Sequence, residues 1–177
     1  MGNCVCRSQG TSSQGTSSQE NVLNDQEFHD IGPKEQWKQT VPFVAPVSGG
    51  IVIKVYDGDT ITVASRLDGV KGGPLYRFSV RLNGIDTPEM KGGDGGESEK
   101  TVAILARDWL SSEILNKRVV LRDVKTEKYG RLLAEVWDKD GKINFNKRMI
   151  EKRFAVEYDG GTKSIPSGDW MKYYKGN

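Results

Sequence analysis

The chain has 177 residues, 36% of them apolar, with a mean hydropathy of −0.58 and 26 Lys+Arg against 24 Asp+Glu, a formal net charge of +2. That length suits one ordinary globular domain with a tail, and so even a charge excludes any inference of a polyanion partner from net charge alone. Its two cysteines, Cys4 and Cys6, stand within the first six residues, which excludes a disulfide framework spread through a fold and, without further ligands, a zinc site; no apolar run is long enough for a signal peptide or a membrane-spanning helix.

In chain order, the start MGNCVC places Gly2 after the initiator Met, with Cys4 and Cys6 close behind. This is the pattern of N-myristoylation beside palmitoylatable cysteines, although position 6 carries Cys where Ser or Thr is favoured. One acyl chain binds a membrane marginally and two hold it. The expectation is therefore a lipid anchor at Gly2, Cys4 and Cys6 and a location on the cytoplasmic face of a membrane. GTSSQ at 10–14 repeats at 15–19, with nothing to bury, and reads as a flexible, disordered tether. Residues 20–45 read as linker with at most weak local order, and His29, the only histidine, as an ordinary solvated residue. Residues 1–47 are thus the acylation signal and linker, and 48–177 the folded domain.

From Ser48 the texture changes. Residues 51–56 (IVIKVY) and 60–63 (TITV) are β-branched and alternating and predict two paired strands around an Asp57-Gly58 turn. Residues 76–82 (YRFSVRL) predict a third strand, and 119–121 and 132–137 two more. Between them, after a Gly-rich loop at 91–97, Val102, Leu105, Ala106, Trp109, Leu110 and Ile114 recur at helical spacing. Asn146 is the expected cap of a short helix running through Ile150 and Phe154, and 170–174 predicts a last turn or two. The fold class is α+β, mainly β: a five-stranded OB-type barrel flanked by two to three helices.

Three clusters carry the chemistry: DGDT at 57–60, RLNGIDTPE at 81–89 and KYGR at 128–131. Singly, each reads as a turn or strand end with solvated charges. Together they form a coherent set. Asp59, Asp86 and Thr87 are hard oxygen donors with no cysteine or histidine nearby, which suits Ca²⁺ or Mg²⁺ and disfavours Zn²⁺. Arg81 and Arg131 are planar forks that match phosphate oxygens. Glu89 is placed to orient or deprotonate a water. These are the parts that phosphodiester hydrolysis needs, because charge grows on the phosphoryl oxygens.

The three clusters, in this order and at these separations, and followed by DGK at 140–142, resemble the staphylococcal nuclease (thermonuclease) family from about Ile51 to Tyr158. The resemblance implies an OB-type barrel and a Ca²⁺-dependent nuclease acting on DNA and RNA, which breaks the P–O5′ bond and leaves 3′-phosphates. By matching position it implies Asp59, Asp86 and the Thr87 carbonyl as calcium ligands, and Glu89 as general base. Arg81 and Arg131 bind the scissile phosphate, and Lys128, Tyr129 and Tyr158 contact the nucleotide. Asp57 then shapes the turn, while Asp59 faces the metal. Three departures stand out. Arg153 replaces a glycine where the second helix ends, so that exit is expected to run differently. The loop after DTPE carries Lys91 but no basic cluster, and the C-terminal helix is shorter than the family's. The rival readings are a catalytically inactive OB-type module that binds nucleic acid or protein, and a membrane-tethered adaptor.

Overall fold

The computed structural model describes residues 24–91, 96–161 and 168–176. Gly2, Cys4, Cys6 and the tether repeat lie outside the described residues, as does part of the glycine-rich loop. The chain divides into two compact units, Met1–Val41 and Pro42–Asn177.

The first unit holds two short helices within the 20–45 stretch, which the sequence reads as linker with at most weak local order. Helix α1 (Asp25–Asp30) starts in a capping box: the Asn24 side chain accepts from Glu27 N at 2.9 Å and Glu27 Oε2 accepts from Asn24 N at 3.0 Å. Helix α2 (Pro33–Lys38) has Pro in its first turn, where the missing N–H is no loss. Neither helix buries a residue; beyond the capping of α1, the Gln36 side-chain amide of α2 donates to Phe28 O of α1 at 3.1 Å.

The second unit is a closed barrel of β1 (Gly49–Val55), β2 (Thr60–Ser65), β3 (Tyr76–Leu82), β6 (Leu132–Asp138) and β5 (Arg118–Thr126), in that spatial order. Every pairing is antiparallel except β3 with β6. This is the expected α+β, OB-type fold. The alternation read from sequence is the inside–outside alternation of the wall: Val52, Ile61, Val63, Val80, Leu82, Ala134 and Val136 are fully buried, while Ile51 and Ile53 face out. At the closure, β1 pairs with both β2 and β5, and a Cβ on Gly49 or Gly50 would collide with the carbonyls of Val119 or Ala64. Glycine is there because the neighbouring backbones come so close.

Three helices flank the barrel: α3 (Gly96–Ile114), α4 (Phe145–Glu151) and α5 (Trp170–Lys175). Helix α3 packs against β1, α4 and α5. Its buried face is Glu99, Val102, Ala103, Ala106, Leu110 and Ile114; Leu105, expected inside, is 39% exposed. The short α5 is tied down by buried Trp170 and by a ring stack in which Phe154 lies 5.3 Å from Tyr174 and 5.8 Å from Trp109. Among the described residues no helix is long and apolar enough to cross a membrane.

Two local expectations around α4 are corrected. Its cap is Asn144, whose side chain accepts from Lys147 N at 3.1 Å, and not Asn146. Asn146 is buried and spans helix and barrel: it accepts from Val136 N at 2.9 Å and donates to Asn83 O at 2.7 Å and Ala134 O at 3.3 Å. At the other end, Arg153 does take the left-handed conformation, with φ 59°. Phe154 N donates to Met149 O and Arg153 N to Ile150 O, the bonding of a Schellman end. The helix exit keeps its geometry, and a non-glycine residue carries the steric cost.

Asp86 is set by a separate two-stranded ladder. Strand β4 (Ile85–Asp86) pairs with β7 (Val156–Glu157), Asp86 opposite Val156. The turn that leads into β4 needs Gly84 at φ 77°.

Candidate active site

The β1–β2 connection holds Asp59 by three means. Tyr56 N and Asp57 N donate to Thr60 O, Asp57 Oδ1 accepts from Asp59 N at 3.2 Å, and Leu82 N donates to Asp59 O at 2.8 Å. Gly58 has no left-handed φ. It is glycine because a Cβ would stand 3.0–3.2 Å from Thr87 and Ala106. The turn is therefore selected by its packing beneath α3, and the Asp-Gly pair of an ordinary hairpin turn is a coincidence of sequence. Asp57 is the side chain that braces Asp59.

In the β2–β3 register Thr60 faces Arg81, which brings the Arg81 guanidinium onto both aspartates. Nη1 lies 2.5 Å from Asp59 Oδ2, and Nη2 lies 3.1 Å from Asp86 Oδ1. Asp59, Asp86 and Thr87 are each at least 95% buried. Burial pushes the Asp59 carboxyl up to about 7, with Arg81 opposing and the charge of Asp57 adding to the rise. Past Pro88, Glu89 is exposed, and its backbone N–H donates to Glu99 Oε1 at 2.9 Å.

The β5–β6 hairpin supplies the opposite side. Gly130 at φ 79° closes it, Gly130 N donates to Glu127 O, and Glu127 N donates to Arg131 O. Arg131 Nε is bonded to Glu127 Oε1, and that bond chiefly raises the Arg131 pKa. Lys128 and Tyr129 are exposed at the tip, with the ammonium 5.0 Å from the ring centroid. Tyr158 follows β7 and is held by Tyr158 N donating to Gly84 O.

These pieces enclose one cavity of 880 Å³. Asp59, Arg81, Thr87, Glu89, Lys128, Tyr129, Arg131 and Tyr158, all singled out from the sequence, line it. Asp86 stands behind the wall, joined to it through Arg81. Glu127 and Glu99 were not anticipated. Each left a signal: Glu127 stands four residues before Arg131, and Glu99 falls on the apolar stripe of α3. The third unanticipated residue, Asn146, was misread as a cap.

For a metal, the donor set decides. Residues 42–177 contain no histidine or cysteine, and the buried oxygens of Asp59, Asp86 and Thr87 fit a hard cation such as Ca²⁺. Among the described residues there is no preassembled group of three or more His, Cys, Asp or Glu side chains that could hold an ion. The two aspartates share a guanidinium instead.

Comparison with known proteins adds one decisive observation: residues 79–171, more than half of the chain, match the family profile described as staphylococcal nuclease homologue. The chain belongs to this family. Among similar proteins, a probable endonuclease of Schizosaccharomyces pombe is 33% identical over 134 residues, covering 63% of this chain and 56% of the relative. A probable endonuclease of Candida glabrata is 34% identical over 101 residues, 56% of this chain and 38% of the relative. An uncharacterized endonuclease of Escherichia coli is 32% identical over 110 residues, 62% and 61% of the two chains. The chain thus spans between about two-fifths and three-fifths of the length of these relatives. The family match begins within β3, at Ser79, after the Asp57–Thr60 turn, and takes in Arg81, the Asp86–Glu89 segment and the β5–β6 hairpin.

Proposed function

We propose that this chain is a calcium-dependent nuclease that hydrolyses phosphodiester bonds of DNA and RNA, leaving 3′-phosphates. The observation that carries the reading is the convergence of Asp59, Arg81, Glu89 and Arg131, from three segments of the chain, on one cavity. Family membership and the endonuclease names of the relatives support it.

In this reading Arg81 and Arg131 grip the phosphate. Arg131 is steadied at Nε by Glu127, so its terminal N–H groups keep a set direction toward the cavity. Glu89 sits at the exposed rim, where water has access, and takes the proton of the attacking water. The water oxygen bonds to phosphorus, the P–O5′ bond breaks, and the 5′-oxygen leaves with a proton from solvent. Donors fixed where charge grows on the phosphoryl oxygens lower the barrier. Asp59, Asp86 and Thr87 are the residues that would hold Ca²⁺, which supplies further charge stabilisation when bound.

The second half of the proposal concerns location: acyl chains on Gly2, Cys4 and Cys6 tether the nuclease to the cytoplasmic face of a membrane. The confinement of both cysteines to the terminus supports it. Intact-mass analysis of the native N-terminus tests it, and an unmodified Gly2 with free thiols rejects it.

The activity is tested by titrating Ca²⁺ against cleavage of defined single- and double-stranded DNA and RNA, with a chelator control. Turnover is expected to require Ca²⁺ and to fall about 100-fold or more in Glu89→Gln and in Arg131→Ala. Cleavage that survives chelation removes the calcium part; turnover unchanged in both variants removes the site.

A further inference from the structure

A second cavity, of 600 Å³, opens beside the first and shares Asn83, Gly84, Tyr158 and Asp159 with it. Glu135, Asn144, Lys147 and Ile150 form much of its remaining wall. The proposed hydrolysis uses none of these four.

The charges say what such a space accepts. Glu135, Glu157 and Asp159 face it against the single cation Lys147, so a phosphate is repelled here and drawn to Arg81 and Arg131 next door. A neutral group rich in N–H donors is favoured, and on a strand whose phosphate lies in the first cavity that group is a nucleobase.

Glu135 is built to receive one. Its Oε2 accepts from Trp137 Nε1 at 3.0 Å and from Asn144 Nδ2 at 3.4 Å. The Trp137 ring is itself fixed by the Arg122 guanidinium, 4.3 Å from its centroid. Both bonds fall on the same oxygen, so the carboxylate is oriented while Oε1 has no partner among the described residues. Oε2 is thereby filled, while Oε1 keeps two lone pairs, enough to accept two adjacent N–H donors that converge on it from one edge. Among the bases, guanine alone offers that pair, N1–H and N2–H. Tyr158, the wall common to both cavities, offers a face for stacking.

We propose that this cavity is a base-recognition subsite for an unpaired guanine beside the scissile phosphate, with Glu135 as the specificity-determining residue. The inference rests on the nuclease reading. It makes single strands the preferred substrate, because the edge that Glu135 reads is covered in a duplex.

The test uses the full chain with Ca²⁺ and single-stranded oligothymidylates that carry one substituted nucleotide. With guanine, cleavage is expected to concentrate at the bond next to it by about tenfold. The bias survives with 7-deazaguanine, which keeps both donors; it weakens with hypoxanthine, which lacks the 2-amino group, and disappears with adenine. Glu135→Gln replaces an acceptor by a donor and is expected to abolish the guanine bias while cleavage continues. The base analogues on the unaltered protein carry the test even if that variant fails to fold. Even cutting along the guanine strand overturns the inference alone, as does equal bias with hypoxanthine or adenine. No cutting of any nucleic acid overturns the nuclease reading and takes this inference with it.

Discussion

Asp59 offers the sharpest quantitative test of the site. It is 3% exposed, its Oδ1 receives the Thr60 hydroxyl at 2.9 Å, and its carboxyl is pushed from an ordinary 3.8 up to about 7 by burial. A raised pKa means that between pH 3.8 and about 7 the folded chain holds a proton that the unfolded chain has released. Stability from this group is therefore fully present below pH 3.8 and is lost as pH rises through 7. At about 1.4 kcal/mol for each tenfold change in proton affinity, the loss is bounded near 4 kcal/mol. Asp59→Asn carries no ionisable group there and lacks this slope. The lowered pKa of Asp138, set mainly by its bond from Ile143 N, is common to both proteins and cancels in their difference. Urea denaturation from pH 3.5 to 8 in chelator is expected to show the wild type losing ground to the variant steadily across that window. Excess Ca²⁺ should then restore the wild type above pH 7 and leave the variant unmoved. Parallel stability–pH curves in chelator would refute the assignment of a buried, proton-holding Asp59.

Asn146→Leu removes three hydrogen bonds between α4 and the barrel and is expected to lower unfolding free energy by about 3 kcal/mol; an unchanged urea midpoint contradicts that role. Arg153→Gly relieves a left-handed residue at φ 59°. The gain of about 1–2 kcal/mol, less about 0.5–1 for glycine's unfolded-state entropy, leaves a small rise in melting temperature, and a fall refutes the strain. Glu127→Ala frees Arg131 Nε and is expected to lower kcat about tenfold; an unaltered kcat shows that Arg131 needs no brace.

The barrel was legible because its strands alternate. Val52, Ile61, Val63, Val80 and Leu82 sit inside at every second position, and period 2 is a property that sequence displays directly. The residues of the candidate site were legible because they are concentrated in three short clusters, two of whose turns depend on the conformations of Gly84 and Gly130. What escaped depends on contacts across the fold. No local pattern says that Asn146 reaches Asn83, that Glu99 receives the Glu89 N–H, or that Gly58 is small because of Ala106. Arg153 shows the opposite error. Residue preference argued against a left-handed exit, yet the Schellman bonds and the Phe154 stack between Trp109 and Tyr174 hold the chain in it. Tertiary packing worth several kcal/mol overrides a local preference worth one or two.

On the proposed function, the charge arrangement of the cavity implies that calcium and nucleotide bind together. Arg81 spans Asp59 and Asp86, and Arg131 is bonded to Glu127, so the two cations that phosphate needs are already partnered by acids. A phosphate arriving alone would compete with carboxylates for Arg81 and would meet the negative charge of Asp57 and Glu89 as well. A cation arriving alone would compete with Arg81 for both aspartates. When the two arrive together, carboxylates turn to the cation and guanidinium N–H groups to the phosphate, and neither buried charge is left unpaired. Coupling of this kind is reciprocal: whatever factor Ca²⁺ adds to nucleotide affinity, nucleotide adds to Ca²⁺ affinity. On that reading the paired charges act as a latch that either ligand opens poorly by itself, in keeping with the lack of a ready-made acid cluster among the described residues.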